Sequence, residues 1–213
     1  MVEAEKGSQA ALQRMVEKTP EQLQPAGLPM LDWLSPRRGD GFAEYRDGAA
    51  LRMLGLGDHA EALTEFWPRR GPVWDGLARA GGAVVLVEAK AHVSEFLSSP
   101  SAATAPQSVA QIARAFRQVK AALGADERSD WSRVFFQYAN RLAFLWWLRA
   151  RGIDAHCLFV SFLGDTEMGG PGRAETWEAL FRAADHALGL SPRHPLRPYV
   201  LHVHPDLREL EKP

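Results

Sequence analysis

The chain has 213 residues, of which 46% are hydrophobic and 24% charged, and its formal net charge is −1. These values exclude a largely disordered chain and the strongly basic surface of a protein that coats nucleic acid. A single cysteine, Cys157, excludes an internal disulfide, and no apolar stretch is long enough to span a bilayer. We therefore expect a cytoplasmic protein with one sizeable core and no membrane partner.

A polar N-terminal segment precedes the more apolar remainder of the chain. We predict that residues 1–35 form a helical appendage and that residues 36–213 form the main domain. A helix is expected to begin at Thr19, because Thr is a common N-cap and the following Pro20 is favoured in the first helical turn.

Strand and helix patterns alternate through the main domain. Strands are predicted at residues 73–79, 83–92, 156–163 and 199–204, and helices at residues 48–56, 107–123, 131–151 and 175–188. Residues 97–108, which are rich in Ser, Ala and Pro, are expected to form a mobile loop or lid. This alternation predicts an α/β fold with a mixed central β-sheet flanked by helices on both faces.

The first two strands of the main domain form a predicted hairpin that brings two carboxylates together. A Gly-Gly connection favours a tight two-residue turn, because both residues accept positive φ angles. Ala80 then pairs with Ala83, and the same register places Asp75 opposite Glu88. Since side chains alternate along a strand, Glu88 and Lys90 share one face of the sheet.

Two opposed carboxylates destabilise a sheet unless a cation compensates them. Mg²⁺, or alternatively Mn²⁺, would supply that charge with Asp75, Glu88 and the carbonyl oxygen of Ala89 as ligands. Lys90 would then orient or deprotonate a water molecule, or stabilise charge on a phosphate. The alternative is a solvated strand face on which Glu88 and Lys90 are simple neighbours and Asp75 is unrelated. If repulsion dominates, removing either carboxylate leaves metal-free stability unchanged or higher.

The segments Gly71–Gly76 and Val87–Lys90 resemble the signature of the PD-(D/E)xK nuclease superfamily, also called restriction-endonuclease-like. That signature has an Asp at the head of one strand and Glu-x-Lys on the next; here the Pro lies three residues before the Asp instead of beside it. The resemblance implies a core of order αβββαβ and Mg²⁺-dependent hydrolysis of phosphodiester bonds. It also implies that Asp75 and Glu88 bind the metal and that Lys90 is the catalytic lysine.

The resemblance extends over about residues 40–205, which are similar to a bacterial group of unknown function within the superfamily. Some members of the superfamily lack nuclease activity. Three functions therefore stay open: a nuclease acting on DNA or less commonly RNA, a catalytically silent binding or assembly module of the same fold, and a metal-free structural domain. The oligomeric state is also open, a homodimer included.

A polar stripe crosses the otherwise apolar helix predicted at residues 131–151. Gln137, Asn140 and Arg141 have the spacing that places side chains on one helical face. They either bind substrate beside the metal site or form a structural network. Several families of the superfamily place a Gln on a helix after the motif, and Gln137 resembles that residue. His92 would continue the face of Lys90 as a substrate contact, or be a structural residue at the strand end.

A nucleic-acid substrate would need a local basic patch, because the net charge of the chain is close to zero. Arg69, Arg70 and Arg79 lie beside the predicted hairpin and are candidate phosphate contacts.

Overall fold

The computed structural model describes residues 4–209. In this part of the chain the strands are β1 (Leu31–Ser35), β2 (Tyr45–Arg46), β3 (Val73–Trp74), β4 (Gly76–Ala80), β5 (Ala83–Lys90), β6 (Ala155–Ser161) and β7 (Val200–Val203). The α-helices are α1 (Gly7–Lys18), α2 (Asp47–Met53), α3 (Ala60–Phe66), α4 (Val93–Leu97), α5 (Pro106–Leu123), α6 (Phe136–Arg149) and α7 (Ala174–Ala187). Short 3-10 turns lie at Pro20–Leu23, Arg38–Asp40, Gly57–His59, Arg197–Tyr199 and Leu207–Glu209.

The fold is built on a five-stranded sheet with strand order β1-β4-β5-β6-β7, while β2 and β3 pair with each other. The neighbours β1, β4 and β5 are antiparallel, whereas β5, β6 and β7 are parallel. Helices α2, α3, α5, α6 and α7 contribute to the core on one face, and α1 packs on the other. The predicted α/β class, with a mixed central sheet flanked by helices, is confirmed.

The β4–β5 hairpin has the predicted register. Its turn is formed by two glycines, of which Gly81 has a φ of +58°. Ala80 pairs with Ala83, and the ladder continues to Gly76 opposite Val87. A side chain at position 76 would crowd β1, because a Cβ there would lie 3.1 Å from the carbonyl oxygen of Ser35, closer than most Cβ contacts. Glycine at this position therefore lets β1 pair closely with the strand that begins directly after Asp75.

Strand β5 is buried along its whole length, and its two faces enter different parts of the core. Val84 and Leu86 pack on the face covered by α6, and Val85 and Val87 pack on the face covered by α1. By the same alternation, the side chains at the carboxyl end of the strand, Glu88 and Lys90, emerge towards α6.

The N-terminal residues form part of the main sheet structure. Helix α1 packs Leu12 and Met15 against the sheet, and β1 is paired with β4. The predicted boundary after residue 35 therefore falls at the end of a sheet strand. A helical turn does begin after Thr19, with Thr19 at the N-cap position and Pro20 in the first turn, as predicted. It is only the 3-10 turn Pro20–Leu23, and the hydroxyl of Thr19 makes no cap hydrogen bond.

Most predicted elements are present with small changes at their ends. Strand β5 ends at Lys90 and not at His92, because the chain turns there into α4. The helix predicted at residues 131–151 spans 136–149, since Phe135 adopts a left-handed conformation with φ of +49° just before it. Within residues 4–209, none of the helices combines the length and the apolar character needed to cross a membrane.

A half-buried histidine in β7, His202, should make the fold sensitive to acid. His202 packs its ring against Phe159 and Phe181. Burial, with smaller contributions from Arg197 and His204, lowers the pKa of His202 to about 3. Its pKa in the unfolded chain is near 6.5, so the unfolded state binds the proton first. The stabilisation is present above pH 6.5 and is lost as the pH falls, at about 1.4 kcal/mol per pH unit.

When the pH falls from 7 to 5, we expect the free energy of unfolding to decrease by about 2 kcal/mol less in His202→Leu than in wild type. Urea unfolding of both proteins at the two pH values measures the difference. His186 is exposed in the last turn of α7, so His186→Leu is the matched control and should lose as much stability as wild type. Equal losses in wild type and His202→Leu would contradict the prediction.

Candidate active site

Asp75, Glu88 and Lys90 meet at one cavity on the α6 side of the sheet. The cavity has a volume of about 840 Å³. Its walls are the loop at residues 67–73, the loop at residues 99–105 and the first turns of α6. The position of the loop at residues 99–105 agrees with the predicted lid, whose movement stays a prediction.

Asp75 is held against β5 by a hydrogen bond that extends the hairpin beyond its last backbone pair. The backbone ladder ends at Gly76 and Val87, so Asp75 is next in register to Glu88, as predicted. Its Oδ2 accepts a hydrogen bond from the backbone N–H of Ala89 at 2.8 Å. Because the N–H and C=O groups of one strand residue point to the same edge, the Ala89 carbonyl also lies on the Asp75 side of β5.

Both carboxylate oxygens of Glu88 are bound by cationic side chains. Lys90 donates from Nζ to Oε1 at 2.6 Å, and Arg141 donates from Nε to Oε2 at 2.6 Å. The exposed fractions of Glu88, Lys90 and Arg141 are only 2%, 6% and 4%. The sequence therefore predicted the Glu88–Lys90 face correctly, but the three groups form a buried ion-pair network and not a solvated face.

Arg141 is fixed by contacts besides that with Glu88. One guanidinium nitrogen donates to the backbone carbonyl of Val73 at 2.9 Å, and another donates to Asn140 Oδ1 at 2.8 Å. The guanidinium also lies over the ring of Trp74, 4.6 Å from its centroid. These bonds place Asn140 and Arg141 in a network within the protein, and both residues also line the cavity, so a substrate contact by this polar stripe stays a prediction.

Burial and the neighbouring charges set the protonation of the site. Burial, and then the charge of Glu88, raise the pKa of Asp75 to about 7. Burial alone would raise the pKa of Glu88, but Arg141 and Lys90 outweigh it and hold that pKa below its usual value. Burial alone would lower the pKa of Lys90, but Glu88, Asp75 and Glu95 keep it raised. At neutral pH the site therefore holds a charged Glu88, a charged Lys90 and an Asp75 near its midpoint.

Two contacts from the N-terminal helix reach the carboxylates around this site. Glu95 Oε1 lies 3.8 Å from Lys90 Nζ and accepts a hydrogen bond from the Ser8 hydroxyl at 2.6 Å. Gln9 donates to Glu44 at 2.6 Å. Burial raises the pKa of Glu44, and the charge of Glu88 adds a smaller contribution in the same direction. Sequence reasoning missed Ser8 and Glu95, because 87 residues separate them and no local pattern joins them.

Comparisons with known proteins give no independent information on this site. No protein family, curated protein or solved structure matches the chain. The resemblance to the PD-(D/E)xK superfamily therefore depends on the two motif segments and on the arrangement of their side chains.

The other predicted substrate contacts differ in their relation to the cavity. Gln137 and Asn140 line it, and the Oε1 atom of Gln137 is buried with no hydrogen-bond partner among the described residues. His92 lies at the start of α4 and is not among the described residues that line the cavity. The physical reason is that β5 ends two residues earlier, so the strand alternation does not carry His92 onto the face of Lys90.

The candidate phosphate contacts also separate into two groups. Arg69 and Arg70 lie in the cavity wall, where Asp47 accepts the backbone N–H of Arg70 at 3.0 Å. Arg79 instead donates to the backbone carbonyl of Leu54, away from the cavity. Of the three predicted phosphate contacts, only Arg69 and Arg70 therefore lie at the cavity.

The candidate ligands at this site are carboxylate and carbonyl oxygens, which are the atom types that a hard divalent cation such as Mg²⁺ prefers. Residues 4–209 contain no group of three or more His, Cys, Asp or Glu side chains that could hold a metal ion. Asp75, Glu88 and the Ala89 carbonyl would have to hold it together with water and substrate oxygens, which is a common arrangement for Mg²⁺. The raised pKa of Asp75 indicates that a cation beside this carboxylate would be stabilising.

Proposed function

We propose that this protein is a metal-dependent phosphodiesterase, a nuclease that cleaves DNA or alternatively RNA in the cytoplasm. The observation that carries the proposal is the convergence of Asp75, Glu88 and Lys90 on one large cavity beside Arg69 and Arg70. An open cavity that ends on buried, strongly interacting charged groups is typical of a catalytic site.

Asp75, Glu88 and the Ala89 carbonyl would hold Mg²⁺ or Mn²⁺. When bound, the ion supplies a Lewis acid that polarises the phosphoryl oxygen and lowers the pKa of a bound water. Lys90 is protonated, so its role is to stabilise the negative charge that develops on the phosphate and to orient the attacking water. Arg69 and Arg70 would hold phosphates that flank the bond to be cleaved.

The order of elements also supports the proposal. Helix α1 is followed by the antiparallel strands β1, β4 and β5, then by helix α6 and the parallel strand β6. This order agrees with the αβββαβ core that the superfamily resemblance implies. The match is one of order and direction. Strands β2 and β3 and several short helices are inserted between β1 and β4, and α4 and the 18-residue helix α5 lie between β5 and α6.

A cleavage assay tests the proposal directly. Labelled single- and double-stranded DNA and RNA are incubated with wild type, Asp75→Asn and Lys90→Ala, with Mg²⁺, with Mn²⁺ or with a chelator. We expect wild type to cleave at least one substrate only with metal, and each variant to lose at least about 100-fold in rate. Arg149→Gln, which alters α6 away from the cavity, should retain activity. Cleavage that is equal in Asp75→Asn would contradict the assignment.

A catalytically silent binding module is the second candidate, and one observation favours it. Lys90 and Arg141 already neutralise Glu88 and its neighbour Asp75 without a metal ion. A protein of this kind would bind nucleic acid through Arg69 and Arg70 but cleave none of the substrates with either metal. Binding measured by fluorescence anisotropy in the same samples separates the two candidates.

A further inference from the structure

Arg141 contributes a permanent positive charge at the position where a metal ion would need negative charge. It contacts Oε2 of Glu88 through two nitrogens, at 2.6 Å from Nε and 2.5 Å from a terminal nitrogen. Glu88 is nearly fully buried, so little water screens this pair. The contact is therefore much stronger than a surface ion pair.

The contacts on its other side keep Arg141 in this position. The Val73 carbonyl and Asn140 Oδ1 each accept one further N–H group, and Trp74 supports its flat face. These three contacts do not involve Glu88, so they persist whether or not Glu88 is ionised or bound to a metal ion. A metal ion that approaches Glu88 would therefore not release Arg141, and the guanidinium would remain as a competing cation.

Lys90 differs from Arg141 in this respect. Its ammonium group is a compact charge on a flexible stem, and a second carboxylate, Glu95, lies only 3.8 Å away. Lys90 can therefore leave Glu88 Oε1 while it keeps an acidic partner. The two cations on Glu88 are unequal, and Arg141 is the one that persists.

We propose that Arg141 is a resident counter-ion of Glu88 that competes with the divalent cation and weakens metal binding in the free protein. This inference rests on the proposed metal-dependent function. Asp75 and Glu88 together carry two negative charges when ionised, and Lys90 and Arg141 carry two positive charges. A phosphodiester in the cavity adds negative charge, so metal and substrate should bind more tightly together than either does alone.

Calorimetric titration with Mn²⁺ alone tests the inference without any activity measurement. The samples are wild type, Arg141→Gln, Arg141→Lys and the control Arg149→Gln, which removes an arginine from the same helix outside the cavity. We expect Arg141→Gln to bind Mn²⁺ about tenfold more tightly than wild type. Arg141→Lys should bind about threefold more tightly, because Lys keeps the charge but cannot hold Glu88, Val73 and Asn140 together. Arg149→Gln should match wild type.

The outcomes separate this inference from the proposed function. If wild type binds Mn²⁺ and Asp75→Asn does not, but Arg141→Gln binds no more tightly than wild type, the counter-ion role is overturned and the metal site stands. If wild type and Asp75→Asn bind Mn²⁺ equally, or if wild type, Asp75→Asn and Arg141→Gln all fail to bind it, the metal site fails and the inference fails with it. If Arg141→Gln does not fold, Arg141→Lys decides, and an affinity equal to or below that of wild type overturns the inference.

Discussion

Glu88→Gln should lower the free energy of unfolding by about 3–5 kcal/mol in metal-free buffer. Glu88 is the carboxylate shared by Lys90 and Arg141, and all three side chains are buried. Glutamine has one acceptor oxygen instead of two, and its amide nitrogen would face one of the cations. The substitution therefore leaves a buried positive charge without a partner, which is among the most costly changes in a protein interior.

Chemical denaturation of wild type and Glu88→Gln measures this loss, and thermal unfolding should show a lower midpoint by about 6–20 °C. Glu61→Gln removes an exposed acid in α3 and should stay within about 0.5 kcal/mol of wild type. A loss below about 1 kcal/mol for Glu88→Gln would show that the network contributes little to stability. The sequence alone led to the opposite expectation, because it showed the repulsion between Asp75 and Glu88 but not the ion pair with Arg141.

Asp75→Asn should have the opposite effect and stabilise the metal-free protein above neutral pH. The pKa of Asp75 is raised to about 7, so ionising this carboxylate costs free energy in the folded state. From its ordinary value near 3.8 up to pH 7 the folded state binds the proton more tightly, and wild type loses stability as the pH rises through this range. Asparagine avoids this cost and still accepts the Ala89 N–H.

The full shift corresponds to about 4 kcal/mol. Asp75 is partly exposed to the cavity, so we expect a gain of about 2 kcal/mol for Asp75→Asn at pH 8, shrinking towards zero at pH 4. Urea unfolding of both proteins across this pH range measures the difference. Adding Mg²⁺ should stabilise wild type but not Asp75→Asn. A difference that stays constant with pH would contradict the raised pKa.

The hairpin half of the site could be predicted because its order is local. The Gly81–Gly82 turn fixes the register of two adjacent strands, and the register alone brings Asp75 to Glu88. Strand alternation then places Lys90 beside Glu88 with no knowledge of the remaining fold. The same reasoning gave the α/β class, since the alternating strands and helices of the main domain are each recognisable from short windows.

The other half of the site depends on contacts between distant parts of the chain. The polar stripe on α6 marked Asn140 and Arg141 as unusual, but the partner of Arg141 lies 53 residues away on β5. A buried arginine needs an acceptor, yet nothing in the sequence says whether that acceptor belongs to the protein or to a substrate. The N-terminal region was misread as an appendage for a similar reason, since its pairing partner β4 begins 41 residues after β1 ends.

The hydrogen bond from Ser8 to Glu95 has a consequence for how related sequences can diverge. Glu95 divides its carboxylate between the Ser8 hydroxyl, the Ala91 N–H and the ammonium of Lys90. Replacing Ser8 by an apolar residue would leave one acceptor atom of Glu95 poorly satisfied next to the site lysine. Positions 8 and 95 should therefore change together during evolution, so that a chain without a hydroxyl donor in α1 also lacks an acid at the start of α4.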